Sequence, residues 1–383
     1  MNQQHEFQKS DSAPVAAWGM KSEDSRGRRH EEPEHPYRTV FQRDRDRIIH
    51  CTAFRRLQYK TQVFVIHEGD YYRTRLTHTQ EVSQISRTIA RALGLNGDLT
   101  EAVSLSHDLG HTPFGHSGED ALDQCLQETA DARFRHNRQS LRIIEQLEDR
   151  YPSFRGLNAS WELRESVVKH GFPDHPTPPD RYDPELAPLL EERVVDVTDA
   201  VAYTNHDLDD GLKSGILSRD QLQNVSLWSK AVSVVQNEHG KQPKDRERSQ
   251  VIRYLINKMV TDLIETTRER LDDYNIDSVD DVRNADHRLV GFSAHMREQK
   301  EELSDFLHER MYCHHRVIRM QERAKRIVRE LFDEYMRCPQ LLPETFQEWI
   351  ESAGKPRAIA DYIAGMTDRY AIQEHQELFG KGP

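Results

Sequence analysis

Apolar residues recur at spacings of three and four along most of the chain, while strand-like alternation is scarce. Val82, Ile85, Ile89 and Leu93 fall on one face of a helix that Gly94 can end. Asp98 and Glu101 form a D-x-x-E start, with carboxylates placed to cap the free amides of a helix carrying Ala102, Val103, Leu105 and Leu109. Asp108 and Gly110 then mark its end. A further helix is predicted from about Pro188, with Leu190, Val194, Val197 and Val201 as its buried stripe. Val317, Met320, Ala324, Ile327, Leu331 and Tyr335 repeat the pattern over about five turns. Gln62 to Ile66 is the best short strand candidate. The expectation is an all-α fold with little β and no internal repeat.

Residues 1 to about 35 are polar and lack apolar period, which predicts a mobile tail. Residues 36–383 are expected to form one large unit, a helical core at about 70–215 followed by a helical C-terminal part at about 216–383. The stretch from Gly171 to Pro188, interrupted by Pro176, Pro178 and Pro179, reads as a loop inserted within one helical domain. A second polar loop is expected from Gln236 to Arg248.

Composition narrows the class. Charged residues are 31% of the 383 and mean hydropathy is −0.84. No run approaches the roughly 18 apolar residues of a membrane span, and the N-terminus lacks the basic-then-apolar order of a signal peptide. Cys51, Cys125, Cys313 and Cys338 are far apart and read as free thiols, so a reducing cytoplasm is the expected compartment. The net charge of −12 disfavours sequence-independent wrapping of nucleic acid. Basic clusters inside this acidic chain (Arg43, Arg45 and Arg47; Arg73 and Arg75; Arg133, Arg135 and Arg138) suit a confined polyanion pocket or, equally, salt bridges on helix faces.

His78, the adjacent His107 and Asp108, and Asp199 stand out as candidate metal ligands. His78 starts a helix just after Arg73-Thr74-Arg75, and His107-Asp108 closes the next one. Adjacent helical residues point about 100° apart, so both reach one ion only near a helix end or on a rim between helices. Mixed imidazole and carboxylate donors suit Mn, Fe, Co, Ni or Zn, with Mg also compatible where waters complete the shell. Beyond Asp199 the same helix carries Tyr203, His206, Asp207 and Asp210. A solvated face would mix in Lys and Glu; this one has a Tyr, three Asp and no base, so it reads as a site lining. The segment from His107 to Glu119 holds three histidines, three glycines and a proline. This predicts a tight loop packed against neighbouring backbone, then a helix from near Ser117 on which Glu119 would hold His116 as a general acid or base. Phe134 to Ser140 offers another histidine, His136, with amide partners.

The pattern His78…His107-Asp108…Asp199 resembles the HD superfamily of metal phosphohydrolases. Longer strings are more specific: Arg45-Asp-Arg-Asp-Arg-Ile-Ile-His, Phe54–Phe64, Arg73–Val82, His107–Glu119, Thr198–Asp207 and Asp361–Tyr370 resemble the deoxyguanosinetriphosphate triphosphohydrolase family. The likeness spans about Arg38 to Phe379. It implies an HD-domain helical core with additional C-terminal helices. It also implies His78, His107, Asp108 and Asp199 as ligands of a divalent cation, and His116 as catalytic histidine with Glu119 as its acidic partner. Arg75, His111 and His136 match phosphate-contacting positions; Gln62, Tyr203 and Asp207 match positions near the deoxyribose. The implied reaction is hydrolysis of deoxynucleoside triphosphates, by homo-oligomers that include hexamers in the family. Some relatives carry Lys directly after the last metal Asp; here it is Ala200. Two other readings compete with this one: another HD nucleotide phosphohydrolase, and a nucleotide-sensing or nucleic-acid-binding protein without turnover.

Overall fold

The computed structural model describes residues 14–62, 73–171 and 179–380. Among them the chain is all-α, with only isolated bridges such as Thr61 to Thr74 and no sheet. The longer helices, in chain order, are α1 (Val40–His50), α2 (Arg75–Leu93), α3 (Gly97–Ser106), α4 (His116–Ala130), α5 (His136–Arg142), α6 (Trp161–Lys169) and α7 (Leu190–Lys213). They continue with α8 (Ser226–His239), α9 (Lys244–Asp273), α10 (Ala294–Leu307), α11 (His315–Arg337), α12 (Glu344–Ala353), α13 (Lys355–Ala364) and α14 (Asp368–Phe379).

Three apolar clusters hold these helices together. The first buries Val82, Ile85, Ile89 and Leu93 of α2 against Leu99 and Val103 of α3, Phe41 and Ile48 of α1, and Val194 and Val197 of α7. The second packs Val201 and Leu208, farther along α7, with α8, α9 and α10. The third joins Leu122 and Leu126 of α4 to Val328 and Leu331 of α11 and Ile359 and Ile363 of α13. Helix α7 therefore runs from the first cluster into the second, and α4 belongs to the third. Polar residues on α2, the end of α3, α4 and the middle of α7 are left facing the space where the clusters meet.

Helix ends follow local chemistry. Thr74 caps α2 through the Thr77 amide, and Gly94 ends it at φ 69° in the left-handed region. The start of α3 differs from the expectation. Asn96 is the cap, accepting from the Asp98 and Leu99 amides at 3.2 and 3.1 Å. Asp98 and Glu101 instead bind Arg45 at 3.1 and 3.4 Å. A short side chain one residue before the helix reaches two free amides at once; Asp98 already lies inside the first turn.

Other expectations are corrected. Within the stretch read as a mobile tail, individual residues make defined contacts. Met20 is buried, its amide donates to Glu191 at 2.9 Å, and Arg28 pairs with buried Asp44. A backbone amide and an arginine from this stretch thus satisfy buried carboxylates, which sequence period does not reveal. The loop expected from Gln236 to Arg248 shrinks to Gly240–Pro243, because α8 continues to His239 and α9 starts at Lys244. Of the strand candidate only Gln62 lies within the described residues. Most of the predicted basic clusters are ion pairs: Arg43 and Arg47 share Glu32, Arg73 binds Asp209 and Asp210, and Arg133 and Arg135 bind Asp123.

Candidate active site

The capped start of α2 puts Arg75 and His78 on one face of its first turn. His107 and Asp108 follow the last residue of α3; His107 keeps helical angles, its amide bonded to the Val103 carbonyl, and the chain passes into turns over 107–110. Asp199, in the middle of α7, completes the group. His78 Nε2 lies 2.8 Å from Asp199 Oδ1, and His107 Nε2 is 3.8 Å from the same oxygen and 3.4 Å from Asp108 Oδ1. His78 Nε2 is 4.0 Å from Asp108 Oδ2. Ligand-type atoms of His78, His107 and Asp199 all fall within 4.8 Å of one another.

These residues fit a cation. His107 Nδ1 donates to the Ser104 carbonyl at 2.6 Å, which leaves Nε2 as a bare lone pair. That nitrogen is buried, has no hydrogen-bond partner, and faces two carboxylate oxygens. Lone pair facing lone pair is repulsive without a positive charge between them. Behind His78 the ring is steadied by His206, whose Nε2 binds Glu81 at 2.5 Å. Such outer carboxylate–imidazole contacts orient the inner ligand.

Next to this group the loop between α3 and α4 packs as tightly as its glycines suggested. A Cβ at Gly110 would lie 2.1 Å from the His136 carbonyl and 2.3 Å from the Ser140 amide, so only glycine lets the loop touch the start of α5. Gly115 has φ 61°, and a Cβ there would meet Arg75 at 3.1 Å. Arg75 donates to Asp108 Oδ2 at 3.0 Å, and His111 Nε2 lies 3.1 Å from Asp108 Oδ1. Burial, then the Arg75 charge, holds His111 well below the usual imidazole range. Asp108 stays well below the carboxylate range although burial opposes this, because His107, Arg75 and His111 surround it.

Glu119 does not chiefly hold His116. It accepts from the His136 amide at 2.9 Å and sits 3.0 Å from His136 Nδ1, whereas His116 Nδ1 is 3.8 Å away. The His116 side chain is 68% exposed and stands at the cavity rim; the His136 ring stacks on His111 at 4.1 Å between centroids. The i,i+3 spacing brought His116 and Glu119 near, but His136, from another helix, offers the carboxylate a ring and an amide together. Farther along α7, Tyr203 stacks over Tyr312 at 6.1 Å, and Tyr312 donates a short hydrogen bond to Asp207. Burial pushes Asp207 up to about 7. Asp210 is not part of this lining; Arg73 binds it at 2.8 Å.

The predicted residues border one cavity of about 1080 Å³, lined by Gln62, Arg75, His78, Asp108, His111, His116, Glu119, His136, Asp199 and Tyr203. Gln62 Oε1, Arg75 Nε and His111 Nδ1 are buried with no hydrogen-bond partner, as donors and acceptors awaiting a ligand would be. Asp207 and His107 stand behind this lining. Part of the lining escaped the sequence reading: Arg270, Arg288, Arg297, Lys300 and Glu301 also border the cavity. No spacing signal could have found them, because they come from α9, α10 and the segment between. With Arg75 and Arg135 they bring six cationic side chains to a cavity that six carboxylates also line, in a chain of net charge −12.

Residues 75–204 match the HD domain family, and residues 290–377 match a phosphohydrolase-associated domain. Nearly the whole chain is similar to proteins named deoxyguanosinetriphosphate triphosphohydrolase-like protein. It is 47% identical to the one from Geobacter metallireducens over 376 residues, covering 98% of this chain and 97% of that one. The identity is 48% over 374 residues with the Bordetella pertussis protein, covering 96% and 97%. It is 49% over 371 residues with the Ralstonia nicotianae protein, covering 96% and 94%. No described helix is long and apolar enough to cross a membrane.

Proposed function

The chain belongs to the deoxyguanosinetriphosphate triphosphohydrolase-like family of HD-domain phosphohydrolases, and from that premise we propose that it hydrolyses deoxynucleoside triphosphates to deoxynucleoside and tripolyphosphate. The observation that carries this reading is the meeting, around one cavity, of the His78, His107 and Asp199 group and neighbouring Asp108 with Arg75, His111 and His116 and with Arg270, Arg288, Arg297 and Lys300. His78, His107, Asp108 and Asp199 would hold a divalent cation. Bound there, such an ion supplies a polarised phosphoryl oxygen and a more acidic water.

The chain's own residues do the rest. Arg75, fixed by Asp108, donates toward the α-phosphate oxygens and balances charge as it develops, while His111, neutral and with Nε2 on Asp108, leaves Nδ1 as an acceptor for a protonated phosphate oxygen or a water. Arg288, Arg297 and Lys300 take the far phosphates, countercharge that Ala200 does not provide. The Tyr203–Tyr312 stack with Asp207 and Gln62 bounds the deoxyribose side, where the Tyr203 ring excludes a ribose hydroxyl. Water attacks the α-phosphorus in line with the bond to the 5′-oxygen. A new P–O bond forms, the P–O5′ bond breaks, and its electron pair stays on the 5′-oxygen. His116 at the rim delivers the proton that makes this oxygen a hydroxyl. His136, gripped by Glu119, stacks under His111 and keeps its ring in place. Homo-oligomers in the cytoplasm complete the reading.

Product analysis tests it. With Mn²⁺ or Mg²⁺ and each dNTP singly and in mixtures, the expected products are deoxynucleoside and intact tripolyphosphate. Deoxynucleoside monophosphate with pyrophosphate as first products would overturn it, and ribonucleotides cleaved equally well would remove the sugar assignment.

A further inference from the structure

Beside the four-residue group lies a second set of ligand-type atoms that the proposed reaction does not use. His170, just past α6, and Glu192 and Asp196, one turn apart on α7, bring a ring nitrogen and carboxylate oxygens within 4.8 Å of one another. The Glu192 side chain is 1% exposed, and neither of its oxygens meets a hydrogen-bond donor. Lys169, on the neighbouring helix, is committed elsewhere, to Glu165 at 2.7 Å and to the Asp183 and Leu186 carbonyls. A buried carboxylate without donors is strongly unfavourable unless it is neutral or meets a cation.

The remaining contacts favour the cation. His170 Nδ1 lies 2.5 Å from Asp196 Oδ1, yet this nitrogen is among the buried atoms that lack a hydrogen bond of acceptable geometry. The contact is an imidazole–carboxylate pair, and a divalent ion that displaced the ring proton would take this nitrogen and this oxygen as two donors. The Gly171 amide donates to both Asp196 oxygens at 3.0 and 3.1 Å, the kind of outer contact that fixes a ligating carboxylate. His170 and Asp196 line the cavity while Glu192 lies behind them, so an ion could enter from the cavity and be anchored from beneath. His170 Nε2 is 4.0 Å from Asp199 Oδ2, so the two groups adjoin.

We propose that His170, Glu192 and Asp196 form a second divalent-cation site opening on the same cavity. One imidazole and two carboxylates suit Mn²⁺, with Mg²⁺ as a weaker occupant. The site shares no ligand with the first group, so it stands or falls separately from the function proposed above.

Chelator-stripped protein titrated with Mn²⁺ alone, with free ion followed by electron paramagnetic resonance, tests the assignment. Wild type should bind two ions per chain, and Glu192→Gln should keep one while the other weakens by about tenfold or more. Asp108→Ala should lose the first ion and keep the second, which separates failure of the first site from failure of this one. Asp196→Asn serves as the second variant should Glu192→Gln fold poorly. The adjacency of the groups further predicts spin coupling between the two ions in wild type only. A single ion bound by wild type at saturation, or two bound unchanged by both variants, would overturn the proposal.

Discussion

His116 carries the most weight at the scale of single residues, because its position is the least constrained. Its ring is mostly exposed and 3.8 Å from the nearest carboxylate oxygen, so nothing in the packing requires a histidine there. If it delivers the proton, His116→Ala should lower kcat by about 10²–10⁴ while bound metal and melting temperature stay near wild type. Measuring all three on one preparation is decisive: an active but destabilised variant would make His116 a packing residue. Glu119 has a different fate from the one its spacing suggested. It is buried, accepts from two groups of His136, and is held well below the ordinary carboxylate range: burial opposes this, and His136 outweighs it. It lies closer to His136 than to His116, and His136 stacks on His111.

Among the helices, caps and glycines decide where the ligands sit. His107 and Asp108 sit at the C-terminal end of α3, whose register is set at the other end by Asn96. That side chain accepts from two amides and donates to the Met20 carbonyl at 2.9 Å, tying the N-terminal segment to the helix start. Asn96→Ala should therefore cost about 1–2 kcal/mol of stability, the upper part of the range for a lost cap. Asp98→Ala, which removes half-buried contacts to Arg45 and Gln42, should cost less than that. Denaturant titration of the two variants compares them directly; equal losses would return the cap to Asp98. Helix α7 is long because it serves two apolar clusters, and its polar residues divide accordingly: Asp199 and Tyr203 on the cavity, Asp209 and Asp210 on Arg73.

Across the whole molecule, the C-terminal helices brace the loop that carries His111 and His116. Lys60, fully buried and lowered to about 7 by burial, donates to the carbonyls of His111 and Ala364. Asp368 accepts from the Thr61 amide at 3.0 Å and the Phe114 amide at 2.9 Å. Asp368→Ala would leave two buried amides without an acceptor, each costing about 1–3 kcal/mol. It should also lower kcat per folded molecule without loss of metal, because the loop beside His116 slackens. A variant that only melts earlier and keeps wild-type kcat would confine Asp368 to stability. What the sequence by itself determined is local: helix periodicity, the Gly94 stop, the glycine-bound turn at Gly110 and Gly115, and residue types fit for a cation and phosphates. These are legible because spacing along a helix or a tight turn is a short-range property. The tertiary structure alone decided which carboxylate serves which histidine, why most arginines are spent on ion pairs, and that Arg288, Arg297 and Lys300 close the cavity from more than eighty residues beyond Asp199. It also brought Met20 and Arg28 onto Glu191 and Asp44. Partner choice in a buried site is set by which donors the packed helices bring within reach, and no period in the chain encodes that.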